Sequence, residues 1–169
     1  MNGVDPAAEI VLRDADWRDI AAMVRLEQAA FPQDPWTDAS FWAELAQRPR
    51  RAYVVATAEE QVAGGGALLG QAGLDLAGDV ADVMTVAVDP VARGRGLGAQ
   101  LLGALHDRAL ASGARSIMLE VRADNAAARQ LYLGRGYRVV RTRPGYYRSA
   151  GGSPPVDALV MRKELVGRE

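Results

Sequence analysis

The six residues Arg93-Gly94-Arg95-Gly96-Leu97-Gly98 constrain this chain more than any other segment. They follow a valine-rich stretch, Val80 to Asp89, and lead into Leu97, Leu101, Leu102, Leu105 and Leu110, spaced as the apolar stripe of an amphipathic helix. A strand, a glycine turn and a helix in that order leave unpaired amides at the helix start, where they attract an anion such as a diphosphate. Glycines let the anion approach the backbone, and Arg93 and Arg95 add cationic donors. A flexible surface turn is the plainer reading of the same residues.

Two other phosphate-binding designs compete for this segment. Gly94-Arg95-Gly96-Leu97-Gly98-Ala99 also fits the dinucleotide fingerprint. In that design the loop follows its strand directly and several strand-helix units come after it, whereas here Asp89-Pro90-Val91-Ala92 intervenes and only about 70 residues remain. The lysine signature of nucleotide triphosphatases is missing, since no Gly-Lys-Ser or Gly-Lys-Thr occurs.

The remaining punctuation predicts the element order. Glu9 to Arg13 alternates as a strand, and Asp16 precedes a helical pattern through Ile20, Val24 and Leu26 toward Phe31. Pro32 and Pro35 stop that helix, and Thr37 caps another over Phe41, Trp42 and Leu45. Ala52 to Thr57 and Val62 to Leu69 read as strands paired across Ala58-Glu59-Glu60-Gln61, with the Gly64-Gly65-Gly66 run as packing relief in the second. Ser116 to Val121 is a strand, Asn125 opens a helix through Leu131 and Tyr132, and Gly136 ends it before a strand over Tyr137 to Val140. Ser149 to Pro155 is a loop, and Ala158 to Arg162 the last strand. Strand, two helices, three strands, helix, strand, helix and two strands describe a mixed sheet with helices on its faces, in one domain spanning residues 1–169.

Composition narrows the chemistry. Without cysteine there is no disulfide, thiolate nucleophile, thiolate zinc site or iron–sulfur cluster, so oxygen and nitrogen groups carry any reaction. Twenty Lys and Arg against 21 Asp and Glu provide no overall field to hold nucleic acid or anionic lipid. No secretory signal or membrane-spanning stretch is legible, and a cytoplasmic location without direct nucleic-acid binding is expected.

Val86-Ala87-Val88-Asp89-Pro90 followed by Arg93-Gly94-Arg95-Gly96-Leu97-Gly98 resembles the signature of the GNAT N-acetyltransferases. Leu119-Glu120-Val121-Arg122-Ala123-Asp124-Asn125, then Leu131-Tyr132 and Gly136-Tyr137, resembles the RimI-type subgroup, and the likeness covers most of the chain. It implies an α/β (α+β) fold with a mixed, mostly antiparallel sheet of about seven strands and four helices. It also implies acetyl-CoA as cosubstrate and no metal. Val86, Ala87 and Val88 would line the pantetheine arm, Arg93, Gly94, Arg95, Gly96, Leu97, Gly98 and Ala99 would wrap the pyrophosphate, and Asn125 would touch the cofactor. Three positions depart from the pattern: Gly94 where a basic residue is frequent, Tyr137 for Phe, and Gly145 where Asn is common before Tyr146-Tyr147.

Forming an amide from a thioester and an amine needs a neutral nucleophile, a polarised carbonyl and a proton for the departing thiolate. Glu120, on a strand that reads as buried, is the candidate base, directly or through water; a salt bridge to Arg122 or Arg115 is its structural alternative. Tyr132 is the candidate acid, with a core tyrosine as the alternative. Asn125 reads equally as a helix cap. His106, alone among leucines, is not expected to be catalytic. Trp17, Trp36, Trp42 and Phe31 read as core or helix-packing residues, with Trp36 bordering the acceptor cleft; Tyr146 and Tyr147 read as acceptor contacts or as packing.

An α-amino group with pKa about 7.8 costs roughly 1.1 kcal/mol to deprotonate at pH 7, against roughly 4.6 kcal/mol for a lysine near 10.4. One moderate base therefore suits a peptide N-terminus better. The resemblance sharpens this to the N-terminal alanine of a small-subunit ribosomal protein, read between Phe31 to Asp38 and Tyr146 to Pro155. Asp34, Asp38 and Glu44 make that rim acidic and favour N-termini carrying an early arginine. The alternatives are a small-molecule amine or a lysine side chain as acceptor, and a non-catalytic acyl-CoA sensor.

Overall fold

Asp16 decides where the first helical segment begins. Its carboxylate accepts from the Arg18 amide while Asp19 reaches back to the Asp16 amide, a reciprocal cap that satisfies amides the first turn leaves open. One 3-10 turn, Trp17–Asp19, then becomes α1, Ile20–Ala30. Thr37 caps α2, Asp38–Leu45, through the Ser40 amide, as its place before the apolar run predicts. The structure is a computed structural model in which residues 9–58, 68–148, 151 and 153–165 are described.

Seven strands form one sheet: β1 (Ile10–Asp14), β2 (Arg51–Ala58), β3 (Gly70–Ala77), β4 (Val80–Val88), β5 (Ser116–Arg122), β6 (Arg138–Tyr147) and β7 (Val156–Glu164). Their order is β1-β2-β3-β4-β5-β7-β6. β1 and β2, β5 and β7, and β6 and β7 pair antiparallel, whereas β4 and β5 are parallel, with Val80 opposite Ser116 and Asp82 opposite Met118. A parallel step requires a crossover, which α3, Leu97–Ala111, supplies. α4, Ala126–Gly134, lies between β5 and β6 in the chain. This is the mixed, mostly antiparallel sheet with four helices that the resemblance implied.

Two strand assignments need correction. Of the expected strand from Val62 to Leu69, only Leu68 and Leu69 are among the described residues, and they belong to no strand; the next described strand is β3. Residues 59–67, including the expected turn at Glu59-Glu60-Gln61 and the glycine run, lie outside the described residues. β3 escapes a pattern search because Gln71 and Asp75 interrupt its apolar residues although Gly70 through Asp75 are all buried. The sixth strand continues to Tyr147 instead of ending at Val140; it is the sheet's edge, exposed along most of its length, so no apolar alternation marks it. Arg138, Arg141, Arg143 and Pro144 discourage a further strand from adding there.

The described chain gathers into two compact units, one holding the chain through Leu74 together with Thr85–Leu105, the other holding Asp75–Met84 and the chain from His106 onward. In the first, Ile20, Met23 and Leu26 of α1 pack with Phe41, Tyr53, Val55 and Ala87. Leu97, Leu101, Leu102 and Leu105 are at most 1% exposed. Burying a leucine is worth about 1.5–3 kcal/mol, which anchors the helix that begins at the glycine turn. In the second, Ile117, Leu119 and Val121 of β5 and Ala158 through Met161 of β7 are buried. No helix among the described residues is long and apolar enough to cross a membrane.

Candidate active site

In the first unit, β4 ends in a built turn. The Asp89 amide donates to Leu69 O at 2.9 Å, and the Asp89 carboxylate accepts from Val91 N at 2.9 Å, capping a 3-10 turn over Pro90–Ala92. The backbone then passes Gly94 at φ 74° and Gly96 at φ 75°, left-handed conformations that disfavour residues with a Cβ. Gln100 N donates to Gly96 O at 3.1 Å, so α3 is wound from its first turn. The amides of Leu97, Gly98 and Ala99 thus sit in the first turn of a 15-residue helix directly after two arginines. Arg93 donates through Nε to Val88 O at 3.4 Å, tying the turn back to β4, where Ala87 is buried and Val86 and Val88 are half-buried. This donor set has the chemistry a diphosphate requires.

The second unit holds Glu120, Asn125, Tyr132, Tyr146 and Tyr147. Glu120 is not buried, which corrects the reason for choosing it: β5 alternates, with Leu119 and Val121 inward and Glu120 on the open face. Its carboxylate pairs with Arg143 of β6 at 2.6 Å, not with Arg122 or Arg115. Arg122 instead forms a forked pair with Asp124, at 3.0 and 2.9 Å, and that guanidinium holds the Asp124 carboxyl below its ordinary value. Tyr132 is 8% exposed, and burial, reinforced by Tyr147, pushes its phenol up to about 12. It therefore carries its proton at neutral pH. Burial also raises Tyr147, with Glu120 adding to the effect.

Tyr146 and Tyr147 meet edge to face at 5.1 Å between centroids, with Arg143 over the Tyr146 ring at 3.8 Å and Arg122 over Tyr147 at 5.2 Å. Gly145, one of the departures from the pattern the resemblance implied, has φ 60° and donates its amide to Asp157 at 2.8 Å. Glycine and asparagine are the residues that tolerate this conformation, so the departure preserves the turn. Asn125 is the N-cap of α4, its Oδ1 accepting from Ala128 N at 3.1 Å.

Other expectations divide. Trp36 packs on Phe41 and Tyr53, at 5.5 and 6.4 Å between ring centroids, in the first unit. Trp17 and Trp42 are helix-packing residues outside the core: about half exposed, they stack on each other at 6.2 Å, and Phe31 is exposed as well. Asp34 and Asp38 are exposed, but Glu44 turns away from the expected acidic rim to accept from Tyr53 Oη at 2.9 Å and to pair with Arg51 at 3.4 Å. His106 bonds Tyr137 Oη through Nε2 at 2.9 Å, and burial, with Lys163 and Arg135 behind it, lowers its pKa to about 4. Among the described residues no cluster of three or more His, Asp or Glu is placed to hold a metal ion.

Two groups escaped the sequence reading. Arg143 becomes Glu120's partner only through strand register. Glu27, 2% exposed, accepts from Gln71 Nε2 at 2.8 Å and Thr85 Oγ1 at 3.3 Å. A signal for it existed, since Ile20, Met23 and Glu27 recur at helical spacing and place a carboxylate on the buried face of α1.

A family model described as the acetyltransferase (GNAT) family matches residues 20–137. The N-alpha-acetyltransferase RimI of Mycobacterium tuberculosis is 40% identical over 135 residues, covering 78% of this chain and 77% of that protein. An uncharacterized protein of Mycobacterium leprae is 39% identical over 151 residues, and the match spans 86% of this chain but 38% of that protein's length. The crystal structure of the ribosomal-protein-S18-alanine N-acetyltransferase from Escherichia coli superposes with a TM-score of 0.82 at 28% identity, covering 95% of this chain and 97% of that one.

Proposed function

The chain belongs to the acetyltransferase (GNAT) family, enzymes that transfer acetyl from acetyl-CoA to nitrogen, and from that premise we propose that it acetylates the α-amino group of a protein N-terminus, with the N-terminal alanine of a small-subunit ribosomal protein as acceptor. The similarity to the mycobacterial N-alpha-acetyltransferase and to the Escherichia coli ribosomal-protein enzyme supports that acceptor class. The reading takes the chain as one catalytic domain working in the cytoplasm, with neither nucleic acid nor membrane as a partner.

In this reading the turn after β4 binds the carrier. The backbone of Val86, Ala87 and Val88 runs along the pantetheine arm, the amides from Gly94 to Ala99 with Arg93 and Arg95 take the diphosphate, and Asn125 adds a contact while keeping its cap. When bound, acetyl-CoA supplies an acetyl thioester whose carbonyl carbon is the electrophile. Glu120 and Tyr132 handle protons. Glu120 accepts one from the ammonium, directly or through water, so that the nitrogen's lone pair is free to attack the carbonyl carbon. Tyr132 gives its phenolic proton to the sulfur as the carbon–sulfur bond breaks; the attacking nitrogen gives up its second proton to the Tyr132 phenolate as the amide forms, and Glu120 releases the first to solvent. Trp36, Tyr146 and Tyr147 border the acceptor.

The observation that carries this reading is the built turn after β4, where Gly94 and Gly96 at positive φ and two arginines lead into the amides that open the 15-residue α3. The test is thiol release and peptide mass spectrometry with acetyl-CoA, comparing alanine-initiated peptides bearing basic or acidic second residues with lysine peptides and free amines. A mass gain of one acetyl on the α-amino nitrogen is the expected result. Modification of lysine or free amines alone would overturn the acceptor, and binding without turnover would overturn catalysis.

A further inference from the structure

The guanidinium of Arg143 touches two partners at once. It donates to Glu120 Oε1 at 2.6 Å and lies over the Tyr146 ring at 3.8 Å from the centroid. Strand register explains the reach. On β7, Ala158 stands opposite Arg122 of β5 on one side and Arg143 of β6 on the other, while Val160 stands opposite Glu120. β7 lies between the two strands and at this position carries only the small side chain of Ala158, so Arg143 extends diagonally across β7 to the carboxylate. Arg122, on the same strand as Glu120 and two residues along, does not compete because Asp124 holds it in a fork. Among the described residues Glu120 thus pairs with one cation, and that cation already rests on a second, neutral support.

We propose that Arg143 is a specificity-determining residue that keeps the acceptor's place on Glu120, yielding the carboxylate to an incoming ammonium and remaining on the face of Tyr146. The inference rests on Glu120 receiving the acceptor's proton. The exchange is cation for cation, so the carboxylate is never left without a counter-charge. An α-amino group with pKa near 7.8 is mostly ammonium at pH 7 and qualifies for the exchange. A neutral amine brings no charge to displace the guanidinium. The residue therefore selects acceptors by charge at the nitrogen itself, a selection separate from that made by side chains further along the peptide.

Glu120 and Arg143 have side chains 35% and 39% exposed, and an ion pair at that exposure shifts an equilibrium by roughly 1.4- to 5-fold. The experiment is steady-state kinetics of Arg143→Gln and Arg143→Lys against an alanine-initiated peptide and against acetyl-CoA, with thermal melts to establish folding. Arg143→Gln is expected to lower the peptide KM within that range, with the KM for acetyl-CoA unmoved, and Arg143→Lys to stay near the parent. A peptide KM that is unchanged or higher in Arg143→Gln overturns the inference, because an ion pair of purely structural worth predicts no gain. Should Arg143→Gln fail to fold, Arg143→Met serves: removing the guanidinium should lower the peptide KM in the same way, and an unchanged or higher value counts against the exchange. Glu120→Gln separates the two readings. If it loses turnover while Arg143→Gln shows no KM gain, the base stands and the placeholder falls; if it keeps full turnover, the base reading itself has failed.

Discussion

Gln71 donates its side-chain amide to the carboxylate of Glu27 over 2.8 Å, with both residues almost wholly out of solvent. Burial is the largest influence on Glu27 and raises its pKa above 4.5, opposed by the hydrogen bonds from Gln71 and Thr85. A carboxyl whose folded value is raised adds stability in full below 4.5, and that contribution is lost as pH rises through the folded value. Glu27→Gln keeps an oxygen to accept both bonds and does not titrate. Its melting temperature relative to the parent should climb between pH 4 and pH 8, and parallel curves would exclude this account. Glu27→Ala, which leaves buried donors unpaired, should cost about 1–3 kcal/mol in urea unfolding.

His106 gives the opposite slope. Its pKa is lowered to about 4 from 6.5, chiefly by burial, so the fold favours the neutral ring. Its contribution is present above pH 6.5 and lost as pH falls toward 4, because the unfolded chain takes up the proton first. In His106→Gln that loss should disappear, and thermal melts from pH 7 to pH 4 will show it. Acetyl transfer at pH 7.5 should change little, since the ring bonds Tyr137 and not a group assigned to the reaction.

Tyr132→Phe removes one oxygen from a buried ring and keeps its shape. Loss of a general acid should lower kcat by about 10²-fold or more while the KM for acetyl-CoA stays within a few-fold. Near-parent kcat would assign the leaving-group proton elsewhere.

Gly96→Ala places a Cβ on a backbone at φ 75°. A Cβ there would have open space, so the penalty is conformational, about 1–2 kcal/mol for a left-handed residue. If the turn shifts to relieve it, the amides at the start of α3 lose their alignment. The KM for acetyl-CoA should rise, with the peptide KM nearly constant; calorimetric titration with CoA measures the same loss directly.

Local signals were strong where the chain's own chemistry closes an element. Asp16, Thr37 and Asn125 each cap the helical segment predicted from them, and the glycine turn leads into α3 at Leu97. They were weak where burial has no apolar signature. β3 hides Gln71 and Asp75 inside the protein, and β6 runs exposed at the sheet edge, so neither carries the alternation a reader looks for. Burial of the apolar residues around Glu120 does not extend to its carboxylate: the strand is buried on one face, and the carboxylate is on the other.

Caps, turns and apolar spacing act over three to seven residues, so the helices, the glycine turn before α3 and the likeness to the family were legible along the chain. Contacts across strands depend on which residues stand opposite one another, and register is decided only when distant segments pair. Tertiary structure alone therefore decided that Glu120 faces outward onto Arg143, that Glu27 is enclosed with Gln71 and Thr85, and that His106 is kept neutral beside Tyr137.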